Sequence, residues 1–269
     1  MKETSFLDTI HELTLKRIQK KQESLPFESL KLMALENKRP QFKFENAFAI
    51  NAFPKIIAEI KKSSPSQGEL NSEIDPTVLA GEYGHAGASA ISVLTEPSYF
   101  GGSTDDLRNI RRLHPDLILL QKDFIIDPYQ IYEAKLLGAD AILLIVAMLG
   151  EEKTKDYQDL ATFLGLSCLV EVHNLEELKI ALKIEAKIIG INNRNLHSLK
   201  ISLDVSRELV KLIPENVIAI CESGIQSAQE IKELHQLGFD AFLIGSSFMR
   251  SSSPAKALGV MMKRILSES

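Results

Sequence analysis

The sequence predicts an α/β protein: a single (β/α)8 TIM barrel with an N-terminal helical extension. Its 269 residues suit one such domain, because barrels of this kind commonly occupy about 250 residues. From residue 55 onward, eight short runs rich in Ile, Val and Leu alternate with longer stretches in which apolar residues recur at helical spacing. Runs this continuously apolar are typical of parallel strands buried on both faces. Eight repeats favour closure into a barrel over an open doubly wound sheet.

The predicted strands follow one another at intervals of roughly 20 to 35 residues. This spacing leaves room for one strand, one helix and two loops in each unit. The predicted strands cover residues 55–60, 90–94, 117–122, 141–148, 168–172, 187–192, 217–222 and 241–245.

Capping residues mark the helices between these strands. Asp75–Pro76, Asp127–Pro128 and Ser253–Pro254 are predicted helix starts, because proline is favoured in the first helical turn. Segments 137–140 (LGAD) and 237–240 (LGFD) repeat one device, in which a glycine ends a helix and an acidic residue precedes the next strand.

The first fifty residues do not follow the repeat. They predict helices over about residues 3–22 and 27–37, with an apolar stripe at Phe6, Ile10, Leu13 and Ile18. We expect this stripe to pack over one end of the barrel. The predicted division is therefore residues 1–50 for the extension and 51–269 for the catalytic barrel, within one domain overall.

Composition narrows the classes of function. With 31 basic and 36 acidic residues, the net charge of −5 offers no general attraction to nucleic acid or to anionic lipid. The basic cluster at 16–21 is interpreted as a solvated helix face. No apolar run approaches the roughly 18 residues of a spanning helix, and the N-terminus lacks the apolar core of a secretory signal. We therefore expect a cytoplasmic protein.

Metal and disulfide chemistry are not indicated. Cys168 and Cys221 both lie within apolar stretches, which favours reduced core cysteines. The six histidines are scattered without metal-ligand spacing. We expect no metal and no cofactor.

Polar residues end several of the predicted strands. In such barrels the catalytic side chains project from the carboxyl ends of strands. Because they alternate with apolar neighbours, Glu59, Lys61, Glu171 and Glu222 are expected to point into the barrel mouth, where Lys122 also ends a strand. A salt-bridge network closing the barrel is the alternative explanation for any one of them. The whole set instead indicates a site in which opposite charges shift one another's pKa and supply acids and bases.

Two glycine turns follow the last two predicted strands. Segment 222–225 (ESGI) and segment 244–247 (IGSS) allow the backbone to approach an anion closely. A short helix after the eighth strand would also direct free N–H groups at a phosphate. These turns predict a phosphate cradle.

Seven motifs lie at the predicted strand ends: IIAEIKKSSPSQG (56–68), SVLTEPSYFGGS (92–103), LLQKDFIID (119–127), LVEVHN (169–174), IGINNRNL (189–196), ICESGI (220–225) and FLIGSSFM (242–249). Together they resemble indole-3-glycerol phosphate synthase. The resemblance runs from the N-terminal helix to the last barrel helix, and the E-x-K-x-x-S-P-S core of the first motif is highly specific. It implies conversion of 1-(2-carboxyphenylamino)-1-deoxyribulose 5-phosphate to indole-3-glycerol phosphate, with loss of carbon dioxide and water and without a cofactor.

The resemblance also implies residue roles. Lys122 matches the general acid that protonates the substrate's ketone, and Glu171, Lys61 and Glu59 match the groups assigned to the later dehydration. Asn192 and Glu222 match residues that hold the ribulose-derived hydroxyls. The remaining matches are Arg194 near the substrate carboxylate, Phe100 against the anthranilate ring, and Ser64, Ser223, Gly224, Gly245 and Ser246 in the phosphate and substrate pocket. In the family the N-terminal helix lies over the active-site mouth.

Two other functions are weighed against this one. A phosphoribosylanthranilate isomerase-type barrel would not require Glu59, Lys61 and Lys122 together, and it usually lacks the helical extension. A barrel that only binds a metabolite would have no reason to keep the acid and base positions filled. We expect a small phosphorylated substrate, no nucleic acid or membrane partner and a monomer, while the resemblance allows association with other enzymes of tryptophan biosynthesis.

Overall fold

The eight strands of the barrel close on themselves in chain order. The computed structural model describes residues 6–38, 41–49, 53–65, 68–71, 73–196 and 198–267. Every neighbouring pair of barrel strands is parallel, and the last strand pairs with the first. The strands are β1 (Ile56–Ile60), β2 (Ala90–Leu94), β3 (Leu119–Lys122), β4 (Ala141–Ile145), β5 (Ser167–Val172), β6 (Ile188–Asn192), β7 (Ile218–Glu222) and β8 (Ala241–Ile244). The predicted (β/α)8 barrel is thus confirmed.

Helices connect the strands and surround the barrel. Within the described ranges, three helices precede β1, and a two-stranded hairpin, Ser63–Ser64 with Gly68–Glu69, follows it. The α-helices are α1 (Phe6–Ser24), α2 (Phe27–Glu36), α3 (Lys43–Ala49), α4 (Pro76–His85), α5 (Pro97–Phe100), α6 (Thr104–Leu113), α7 (Pro128–Leu137), α8 (Val146–Phe163), α9 (Leu175–Lys183), α10 (Asp204–Leu209), α11 (Ala228–Gln236), α12 (Ser246–Met249) and α13 (Pro254–Ser267).

Of the predicted strands, the fourth differs most from the structure, because it was too long by three residues. Residues 146–148 were expected to continue the fourth strand, but α8 begins at Val146. The first turn of this helix buries Val146 and Leu149, so the apolar run continues although the backbone conformation changes. Apolar composition alone does not distinguish a buried strand from a buried helical turn.

The glycine and the acidic residue that LGAD and LGFD share have clear structural roles. Gly138 adopts a left-handed φ of 88° and ends α7, a conformation that favours glycine. Asp140 then accepts a hydrogen bond from the backbone N–H of Leu119 at 2.8 Å, and Asp240 does the same for Ala219. Each carboxylate therefore ties the start of one strand to the start of its neighbour.

The extension contains a helix that sequence analysis missed. In α3, Phe44 and Phe48 are buried in the barrel interior. The Nζ atom of Lys55, directly before β1, donates to the Phe48 carbonyl at 2.5 Å, and the Glu45 N–H donates to Ser167 Oγ at the start of β5. Helix α3 therefore closes the amino-terminal end of the barrel. Residues 3–5 of the predicted first helix lie outside the described residues.

Helix α1 begins at the opposite end of the barrel. Phe6 lines the mouth of the barrel, and Ile10 belongs to the interior core. The interpretation of the basic cluster as a solvated face was wrong for two of its members, because Arg17 pairs with Asp123 and Lys21 with Glu133, both at 2.6 Å. The division into an extension of residues 1–50 and a barrel of residues 51–269 stays a prediction.

Both cysteines are buried and free, as expected. Among the described residues, no helix combines the length and apolar character that crossing a membrane requires.

Candidate active site

A cavity of about 400 Å³ opens at the carboxyl ends of the strands. All thirteen predicted site residues line it. They come together because the interior of the barrel is filled by every second residue of each strand, and the same alternation carries polar side chains into the mouth. They are Glu59, Lys61, Ser64, Phe100, Lys122, Glu171, Asn192, Arg194, Glu222, Ser223, Gly224, Gly245 and Ser246. Their individual roles stay predictions.

Lys122 lies at the centre of the charged residues. Its Nζ atom is 2.5 Å from Glu222 Oε2 and 2.9 Å from Glu171 Oε2. The lysine ends β3, Glu171 lies near the end of β5 and Glu222 ends β7, so three strands that are not adjacent contribute to one ion triad. The two carboxylates are almost completely buried.

Burial and mutual charge set the protonation of this triad. Burial alone would lower the pKa of Lys122, but the carboxylates of Glu171 and Glu222 raise it above its ordinary value. Burial would raise the pKa of Glu171, yet Lys122 and the neighbouring His173 bring it well below its usual range. For Glu222 burial prevails over the opposing effect of Lys122 and, with the support of Glu171, raises the pKa to about 7. At neutral pH the triad therefore holds one ammonium, one carboxylate and, at Glu222, a second acidic group that is about half protonated.

Glu59 and Lys61 form a second ion pair on the wall of the cavity. Lys61 Nζ lies 2.5 Å from Glu59 Oε1, and both side chains are largely buried. Two lysines and three glutamates thus share the cavity, as the alternation of residues predicted.

Two glycines make room for the buried carboxylates. A Cβ atom at Gly245 would lie 2.3 Å from Glu59 Oε1, and a Cβ atom at Gly190 would lie 2.0 Å from Glu222 Oε1. Both distances are far below van der Waals contact, so neither position can carry a side chain without moving its neighbour. Gly245 was predicted as part of the phosphate cradle. Gly190 was not predicted, because its need for a small residue arises from Glu222 on the adjacent strand.

The two predicted glycine turns border the same cavity. Ser223 and Gly224 both have left-handed φ angles, 64° and 89°, and α12 begins at Ser246 directly after Gly245. Ser64 Oγ also lies here, buried and without a hydrogen-bond partner among the described residues. A buried hydroxyl without a partner is costly unless a ligand satisfies it, which favours a polar ligand at this position.

Asn192 ends β6, and Arg194 lies two residues beyond it; both line the cavity. Asn192 Oδ1 accepts a hydrogen bond from the Arg194 backbone N–H at 3.0 Å. Arg194 Nη1 donates to the Leu199 carbonyl at 3.2 Å, so the guanidinium is held beside the cavity.

An aromatic wall faces the charged residues. The ring centroids of Phe100 and Phe124 lie 6.1 Å apart, and Phe6 of α1 contacts Phe124 at 6.2 Å and Tyr99 at 5.2 Å. The Glu96 side chain caps α5 by accepting from three backbone N–H groups, which positions Tyr99 and Phe100. Sequence analysis named only Phe100. Phe6 and Phe124 also line the cavity. The signals that could have identified them are an aromatic residue near the start of the extension, for Phe6, and one just after a strand end, for Phe124.

In the described part of the chain, His, Cys, Asp and Glu side chains form no group of three or more arranged to hold a metal ion.

Comparisons with known proteins give a consistent result. The family model described as indole-3-glycerol phosphate synthase matches residues 7–260. A protein of that name from Dehalococcoides mccartyi (strain CBDB1) is 53% identical over 199 residues, which cover 73% of this chain and 77% of the relative. Another from Carboxydothermus hydrogenoformans is 42% identical over 263 residues, covering 96% and 99%. The solved 3-hexulose-6-phosphate synthase from Salmonella typhimurium has a TM-score of 0.63 at 14% identity and covers 79% of this chain and 100% of that one, a likeness in fold alone.

Proposed function

The chain belongs to the indole-3-glycerol phosphate synthase family, and we propose that its triad of Lys122, Glu171 and Glu222 carries the ring closure of this reaction. It is a decarboxylating lyase of tryptophan biosynthesis. It converts 1-(2-carboxyphenylamino)-1-deoxyribulose 5-phosphate to indole-3-glycerol phosphate, carbon dioxide and water. The observation that supports the proposed roles best is the position of Lys122 Nζ, within 2.9 Å of two buried carboxylates in the cavity.

Lys122 is the proposed acid of the first step. A bond forms between the ring carbon that bears the carboxylate and the carbon of the ketone, while the ketone oxygen takes a proton. The two carboxylates keep Lys122 an ammonium, so it stabilises the developing alkoxide and then protonates it. The bond to the carboxylate then breaks, its electrons return to the ring, and carbon dioxide leaves.

The second step removes water. The new hydroxyl leaves with a proton from one acid, and the ring gives up a proton to one base. We propose that Lys61, paired with Glu59, donates the first proton and that ionised Glu171 accepts the second, which the ion pair and the lowered pKa of Glu171 support. Because its pKa is low, Glu171 is ionised at neutral pH and enters the step without its proton.

Binding groups surround these residues. The turns at Ser223–Gly224 and Gly245–Ser246, together with the unpartnered hydroxyl of Ser64, are proposed to hold the phosphate. The aromatic wall with Phe100 would accept the anthranilate ring, and Arg194 would lie toward its carboxylate. Asn192 and Glu222 are proposed to bind the hydroxyls of the sugar-derived chain.

The test is conversion of the substrate by purified protein, followed by the indole fluorescence of the product. We expect product without added metal or nucleotide, and Lys122→Ala should lower turnover by at least about 100-fold, the usual scale for a positioned acid. Lys187→Ala, an exposed lysine just before β6 at the other end of the barrel, is the matched control and should keep the native rate. Near-native turnover by Lys122→Ala would remove this lysine from its role.

We also propose that the protein acts in the cytoplasm as a monomer, alone or associated with other enzymes of tryptophan biosynthesis. Sedimentation or size-exclusion chromatography of the purified chain tests the monomeric state.

A further inference from the structure

His173 lies just beyond β5, two residues after Glu171. Its side chain is only 8% exposed and is not among those that line the cavity. The ring nitrogen Nε2 is 3.2 Å from Glu171 Oε1, and Nδ1 is 3.0 Å from Glu177 Oε2. The histidine thus connects the cavity carboxylate with a second carboxylate outside the cavity.

Glu177 is held firmly in place. Its Oε2 atom also accepts a hydrogen bond from the His173 backbone N–H at 2.8 Å, and its Oε1 atom accepts from Asn174 Nδ2 at 2.6 Å. Asn174 in turn caps α9 by accepting from the Glu177 N–H at 3.0 Å. The start of α9 therefore fixes the carboxylate on which the imidazole ring rests.

The geometry favours a protonated ring. Each ring nitrogen lies within 3.2 Å of a carboxylate oxygen, although the contact at Nε2 lacks the geometry of a hydrogen bond, so a neutral imidazole would bring a lone pair close to one of the two anions. Glu171 and Glu177 are the charged groups that face the ring, while Lys122 reaches it only through Glu171. Burial would lower the pKa of His173, but the two carboxylates raise it to about 9.

We propose that His173 is a positioning residue: held by Glu177, it fixes the carboxylate of Glu171 against Lys122 and keeps that carboxylate ready to accept a proton. Glu171 then lies between two cations, Lys122 on Oε2 and His173 on Oε1. This inference rests on the proposed role of Glu171 as the base of the dehydration step, and it adds a group that touches no reacting atom.

The first test is His173→Gln, which keeps a neutral N–H donor near Glu171 and removes the charge. We expect kcat to fall by about 10- to 100-fold, the scale reported for residues that orient a reacting group, with KM within about threefold because the ring does not line the cavity. The matched control is His114→Gln, which removes a half-buried histidine bonded to the Thr77 carbonyl, far along the chain from these strand ends. It should keep the native kcat.

The pH profile separates a charged positioning group from plain packing. The imidazolium loses its proton as the pH rises through about 9, so native kcat should decline across that range, and His173→Gln should lack this decline. Glu177→Gln removes one of the two anions, so the decline should begin at lower pH. A native kcat in His173→Gln, or an unchanged alkaline decline in that variant, would overturn the proposal.

Histidine-selective ¹⁵N NMR gives a readout independent of activity. The resonances that disappear in His173→Gln identify the ring, and we expect both of its nitrogens to be protonated at pH 7.5. A neutral ring would refute the inference. Loss of activity in Lys122→Ala and Glu171→Gln, combined with native behaviour of His173→Gln, would leave the proposed function standing and remove only the role of His173.

Discussion

Replacing Gly190 with alanine tests whether the position of the Glu222 carboxylate matters for turnover. Gly190 lies on β6 beside β7, and its φ is not left-handed, so the backbone itself accepts alanine. The added Cβ would lie 2.0 Å from Glu222 Oε1, whereas an ordinary contact begins at 3.4 Å. The carboxylate must therefore retreat by the difference of these two distances, about 1.4 Å.

That displacement acts directly on Lys122. The other oxygen of Glu222 is 2.5 Å from Lys122 Nζ, and a movement of this size is enough to break the contact. A hydrogen bond to a charged group is worth about 1.5–3 kcal/mol, which corresponds to roughly 10- to 150-fold in rate. A misplacement of about 1 Å near reacting groups can itself cost about 100-fold. We therefore expect kcat/KM to fall by about two orders of magnitude.

The assay is product fluorescence, with circular dichroism as a check on the fold. Gly259→Ala is the matched control, because a Cβ atom at that position of α13 meets no atom within 4 Å. It should keep the native kcat/KM and gain up to about 1 kcal/mol in free energy of unfolding, since alanine favours helix more than glycine does. A folded Gly190→Ala variant with at least half the native kcat/KM would refute the reasoning, because Glu222 could then move without consequence.

Two further predictions concern protonation and the extension. The pKa of Glu222 is raised in the folded state, so the native chain loses stability relative to Glu222→Gln as the pH rises from about 4.5 to about 7. The melting temperature of the variant should therefore gain on that of the native protein between pH 5 and pH 8. A constant difference between the two melting temperatures would contradict the raised pKa. Arg17→Ala removes the 2.6 Å ion pair with Asp123 that holds α1 against the barrel, so Phe6 should loosen from the cavity wall and KM should rise about 3- to 10-fold. The control is Lys20→Ala, at an exposed lysine of the same helix, which should leave KM unchanged. Steady-state kinetics decide the second case, and an unchanged KM in Arg17→Ala would show that Phe6 is held by packing alone.

The barrel and its charged residues could be predicted because each depends on a short-range pattern. The period-two alternation that buries Leu169 and Ile220 inside the barrel also directs Glu171 and Glu222 into its mouth. A residue at the end of an apolar run can therefore be assigned to the site without knowledge of its neighbours. Helix α3 escaped prediction because its seven residues are too few to show a helical period.

The features that were missed depend on contacts between elements that are distant in the chain. Phe6 reaches the cavity because α1 packs against the barrel, with Ile10 in the interior core and Arg17 paired with Asp123, and His173 acquires its second carboxylate when α9 presents Glu177 beside it. Gly190 shows the same dependence most clearly, since nothing in its own strand requires a glycine. Gly190 faces the barrel interior between two strands that each carry a carboxylate. Because it has no side chain, the Glu222 carboxylate has room there to contact Lys122. Small residues in a barrel mouth thus determine where the charged side chains can lie. The side chain that needs a given glycine is found on the neighbouring strand.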